Sequence, residues 1–75
     1  MPDFIERALA SHQLWDAYQG RPAYQRNDYI GWITSARQEA TRRRRLEQML
    51  EELRRGDRYM KMRWRPREGT RPHSV

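Results

Sequence analysis

A small all-α domain of about four short helices, followed by a basic carboxy-terminal tail, is what this 75-residue sequence predicts. Three observations carry that expectation. Apolar residues between positions 1 and 56 recur three and four apart, the spacing of one helix face, and nowhere in that span alternate with period two. Gly20 and Gly56 stand just past two such stretches, where helices commonly stop. The charge is also divided: residues 1–53 carry eight basic and eight acidic side chains, so the net charge of +6 belongs wholly to residues 54–75. The organisation expected is a helical domain over residues 1–56 and a basic, largely flexible tail over 57–75.

The first helix opens at Pro2-Asp3, because proline suits a first turn and aspartate favours the positive end of the helix dipole. Phe4, Ile5, Ala8 and Leu9 mark its apolar face. Ser11 is a good cap for a second, short helix whose apolar members are Leu14, Trp15, Ala17 and Tyr18, with Gly20 as its stop. Arg21-Pro22 starts the third, whose stripe is Tyr29, Trp32, Ile33 and Ala36. Trp32 is expected in the core, and Gly31 is read as permitting close packing. In the fourth, Leu46, Met49, Leu50 and Leu53 form the apolar stripe, while Glu47, Glu51, Glu52 and Arg54 face outward.

The fourth helix carries Arg42, Arg43, Arg44 and Arg45 in succession. Starting it near Gln38 or Glu39 moves these cations away from the positive end of the dipole and puts a glutamate in the first turn. Arg42 lies four residues before Leu46 and Arg45 four before Met49, so both extend the stripe, whereas Arg43 and Arg44 point more to solvent. Two readings are open for Arg42 and Arg45. They pair with carboxylates of neighbouring helices, Asp16 and Asp28 being candidates, or they form an anion-binding notch. Pairing is preferred, since arginines at the edge of a stripe usually pair.

In the tail, Arg58-Tyr59-Met60-Lys61-Met62-Arg63-Trp64-Arg65 alternates apolar and cationic side chains. Three partners fit such an edge: nucleic-acid phosphates, with Tyr59 and Trp64 stacking on bases; an anionic lipid surface; or an acidic groove that accepts an added strand. Alternatively, Tyr59, Met60 and Trp64 fold back to cover a thin helical core.

The chain has no cysteine, which excludes disulfides and thiolate metal sites. No apolar run is long enough for a leader or a membrane span, so a cytoplasmic location is expected. His12 and His73 have no second ligand at a metal-like spacing, no nucleophile motif or glycine-rich phosphate loop occurs, and Glu51-Glu52 reads as an ordinary solvated pair. A non-enzyme that needs no cofactor or metal is expected.

The run Tyr29-Ile30-Gly31-Trp32-Ile33-Thr34-Ser35-Ala36-Arg37, then Glu39-Ala40-Thr41-Arg42, Arg45-Leu46 and Gly56, resembles the YdeI/OmpD-associated family, also called bacteriocin-protection proteins. Tyr29, Trp32, Ile33, Ala36, Thr41, Arg42, Arg45 and Gly56 are the matching positions. The glycine at 31, the added Arg43 and Arg44 and the long cationic tail depart from the family's pattern. The resemblance implies a small helical module of the bacterial cytoplasm, without enzymatic activity, linked to tolerance of bacteriocins, cationic peptides or envelope stress through a protein partner. The alternative is a nucleic-acid-binding accessory protein that uses Arg42 to Arg45 together with Arg58, Tyr59, Lys61, Arg63, Trp64 and Arg65. A homodimer through Trp32 or Trp15 is a third arrangement.

Overall fold

The structure is a computed structural model that describes residues 1–64. Four helices, α1 (Asp3–Ser11), α2 (Trp15–Gln19), α3 (Ala23–Thr34) and α4 (Glu39–Arg55), are followed by strands β1 (Arg58–Tyr59) and β2 (Met62–Arg63). The strands pair antiparallel, Arg58 opposite Arg63 and Tyr59 opposite Met62. The body is therefore all-α, and the hairpin falls within the alternating segment. Arg65 and the remainder of the expected tail lie outside the described residues.

Helix α1 begins as its sequence demands. Pro2 is extended (φ −62°, ψ 144°), its carbonyl accepts the Ile5 and Glu6 amides, and Asp3 and Glu6 occupy the first turn. Its exit differs from expectation. Ser11 does not cap α2 but is the last residue of α1, and Leu14 immediately precedes α2. Gln13 is left-handed (φ 58°), its amide bonds to the Ala10 carbonyl, and the Leu14 amide reaches back to the Leu9 carbonyl at 2.8 Å. This is a Schellman turn with glutamine in the position usually held by glycine. The reversal brings Leu14 and Leu9 into the same buried cluster, the apolar contact that accompanies such turns.

Helix α3 starts after Pro22 and α4 after Gln38, with Glu39 in its first turn, so the arginines stand clear of the amino-terminal dipole end. Gly56 ends α4 in the left-handed conformation (φ 82°) that glycine adopts without steric cost. Gly31 has no close-packing role: a Cβ there would meet nothing within 4 Å.

Ile5, Leu9, Leu14, Tyr18, Tyr29, Ile33, Met49, Leu50 and Leu53 form the core, each side chain contributing roughly 1.5–3 kcal/mol by leaving water. Trp32 is only half-buried and packs against this cluster from its rim, while Trp15 is 38% exposed. The expectation of a fully buried Trp32 is corrected: Tyr29 and Ile33 complete the inner face of α3.

Arg58 to Met60, which the sequence assigned to the tail, lie against the helices, while Met62 and Arg63 pair with β1 on the exposed side. Tyr59 and Met60 pack on the core cluster. The two residues of the turn, Met60 (φ 50°) and Lys61 (φ 67°), are both left-handed, as a type I′ hairpin turn requires. Neither is the Asn or Gly that usually supplies such a turn, so compensating contacts hold it.

Candidate functional site

The compensation comes from Glu52. The period of α4 places it about 60° around the helix from Met49, at the margin of the apolar stripe. The outward position assigned to it from sequence is wrong, for Glu52 is 4% exposed. Its Oε1 accepts the Tyr29 hydroxyl at 2.5 Å and the Met60 amide at 2.9 Å. Its Oε2 accepts the Lys61 amide at 2.7 Å and the Gln48 Nε2 at 3.1 Å. Four donors on a single carboxylate satisfy the charge without a cationic side chain. Two of them are the amides of the left-handed turn.

Around this junction the aromatic rings interlock. Tyr59 meets Tyr29 edge-on at 5.6 Å and Tyr24 edge-on at 5.8 Å, and its hydroxyl donates to Asp28 Oδ2. Burial, and then the Asp28 hydrogen bond, push the Tyr59 phenol up to about 12. Burial and the Glu52 contact likewise raise Tyr29. Arg21, itself buried, donates to Gln25 Oε1 at 2.9 Å and to the Glu52 carbonyl at 3.0 Å. Its guanidinium carbon lies 4.4 Å from the centre of the Trp64 ring. Arg21 thus holds both the carboxy-terminal end of α4 and the end of the hairpin.

The arginine run divides by role. Arg45 donates to the Trp32 carbonyl at 2.6 Å and to Ser35 Oγ at 3.3 Å, with its guanidinium carbon 5.3 Å from the Trp32 ring centre. Arg42 bonds Glu39 at 2.9 Å on its own helix, reaches the Ala36 carbonyl at 3.4 Å and lies over the Phe4 ring. The partners are therefore carbonyls at the end of α3 and a glutamate one turn away, in place of Asp16 and Asp28. A helix end leaves carbonyls unbonded, and these cations supply donors where the dipole is negative. Arg43 and Arg44 are exposed.

Outside the core, Trp32, Thr41, Arg44, Arg45, Glu47, Gln48 and Lys61 line an open groove of about 510 Å³. It brings together Trp32, Thr41, Arg44, Arg45 and Lys61 of the sequence-derived candidates. Tyr29, Ile33 and Ala36 are buried in the body, and Gly56 ends α4. Arg58 and Arg63 face each other across the hairpin, and Tyr59 and Trp64 serve as its inward contacts. Sequence reasoning missed Arg21, Gln25 and Glu52 as buried polar residues. Glu52's place beside Met49 on the helix wheel was the available signal; nothing comparable marked Arg21.

Among the described residues no group of three potential ligands is arranged to hold a metal ion, and no helix is long and apolar enough to cross a membrane. A family model described as bacteriocin-protection, YdeI or OmpD-associated matches residues 1–56. Among curated proteins and solved structures, nothing matches the chain significantly. The matched span stops at Gly56, one residue past α4 and short of the hairpin.

Proposed function

Since the chain belongs to the bacteriocin-protection, YdeI or OmpD-associated family, we propose that it is a non-enzymatic, cytoplasmic protein-binding module. It serves tolerance of bacteriocins, cationic peptides or envelope stress through a protein partner. The family match across all four helices is the observation that carries this reading.

The distribution of polar groups supports it. Glu52, Tyr29, Gln25 and Arg21 are spent on one another and on holding the hairpin. An open, cationic surface lies instead in the groove beside Trp32, whose charges suit docking and would repel a cationic peptide. Protection then works through a partner, with no direct capture of the peptide in this groove.

Deleting the gene in its source organism and challenging the cells with bacteriocin or cationic peptide tests the role, with tagged protein used in parallel to retrieve the partner from the cytoplasm. Raised sensitivity together with one recurring protein is the expected result. Unchanged tolerance and no retrieved protein would sink the proposal.

A further inference from the structure

We propose that the groove beside Trp32 receives an acidic, extended peptide segment, with Arg44, Arg45 and Lys61 as its carboxylate receptors. The inference rests on the protein-partner reading above and names the chemistry of that partner.

Charge is the first argument. Three cations line the groove against one carboxylate, Glu47. Arg44 makes only a 3.5 Å contact to Thr41 Oγ1, so its donors remain largely unspent among the described residues. Arg45 commits one terminal nitrogen to Trp32 and Ser35, which fixes its position while leaving further donors of the guanidinium fork for a ligand. A guanidinium held in place by a carbonyl and an aromatic face is preorganised for a planar carboxylate. Thr41 adds a neutral hydroxyl at the same wall.

The hairpin supplies a second, independent argument. Lys61, at the turn, lines the groove, and two residues further on Arg63 stands directly opposite Arg58. Like charges facing each other across a strand pair are destabilising. Neither arginine meets a carboxylate among the described residues. An acidic segment long enough to reach that pair from the groove would relieve the repulsion.

Geometry sets the size of the occupant. From Thr41 to Gln48 the α4 wall runs about 10 Å, the length of about three extended residues. The aromatic contacts also decide against a nucleic acid here. Single-strand binding needs free ring faces for bases. Trp32 instead carries Arg45, Tyr59 is wedged edge-on between Tyr24 and Tyr29, and Trp64 stacks with Arg21.

The test titrates isotope-labelled full-length protein with a capped hexaglutamate peptide, and separately with single-stranded oligouridylate, reading amide and indole resonances. Hexaglutamate is expected to move Trp32, Thr41 and Lys61 while leaving α1 unmoved. Arg44→Glu and Lys61→Gly together should weaken it about tenfold. Both positions are exposed, and glycine suits the left-handed turn, so unchanged melting establishes that the fold is intact. No perturbation at the groove, unaltered affinity in the variants, or tighter binding of oligouridylate at the same residues would overturn the proposal. If hexaglutamate fails while the full chain still retrieves its partner and restores tolerance, the groove assignment falls and the tolerance reading stands. Binding of hexaglutamate with unchanged tolerance on deletion upholds the groove and removes the biological role.

Discussion

The Tyr29 hydroxyl donates to the Glu52 carboxylate across 23 residues of sequence, joining the middle of α3 to the last turns of α4. The same carboxylate accepts both amides of the hairpin turn, so three segments converge on one side chain.

Removing the phenolic donor tests that junction. Tyr29→Phe keeps the ring packing and withdraws one of the four donors to Glu52, a loss expected to cost about 1–3 kcal/mol. Urea unfolding of the two proteins measures it. Equal midpoints and slopes would show that the bond contributes nothing net.

Glu52→Ala should release the hairpin before the body. The Met60 and Lys61 amides are expected to lose hydrogen-exchange protection, while Leu9 and Ile33 keep theirs at a reduced overall stability. Retained protection at Met60 and Lys61 would mean that strand pairing alone holds the turn.

Trp32 and Ile33 should separate on truncation. Ile33 is fully buried, and Ile33→Ala is expected to cost about 2–5 kcal/mol. Trp32, half-buried at the rim, should cost about 1–2 kcal/mol when changed to alanine. Thermal melts of both variants decide the order, and the reverse ranking would place Trp32 at the centre of the core.

Arg45→Ala removes two hydrogen bonds at the end of α3 and should cost about 1–2 kcal/mol, whereas exposed Arg43→Ala should leave the melting midpoint unchanged. Equal effects would contradict the division of roles within the arginine run.

Stability should also fall in alkali. Tyr59 releases its proton near 12 when folded but near 10.0 when unfolded, and Tyr29 is raised in the same direction. Above the unfolded value the unfolded chain loses protons first, so stability present at lower pH declines as pH rises from 10.0 through about 12. Melts across that window should show the decline, and Tyr29→Phe combined with Tyr59→Phe should flatten it.

The helical body was legible because its periodicity is strong and its ends are marked by Pro2, Pro22, Glu39 and Gly56. The Ser11 cap was misplaced because the Schellman turn that ends α1, with its Leu9–Leu14 apolar contact, outweighed serine's preference for a cap position. Glu52 was misread for a different reason. A carboxylate at the margin of an apolar stripe ordinarily stays solvated, and it takes the returning hairpin, Tyr29 from another helix and Gln48 together to make a buried one tolerable. The groove was half legible: Arg44 and Lys61 stood out as cations, but their meeting beside Trp32 depends on how α3, α4 and the turn pack.

Shortening the polypeptide after Gly56 would take away more than positive charge. It would strip Glu52 of two donors, bare one flank of Tyr29 and leave the Arg21 guanidinium without its Trp64 ring. The contacts that brace the helices continue to Trp64, so a truncated form that misbehaves in a binding experiment would report lost bracing before it reported a missing ligand site.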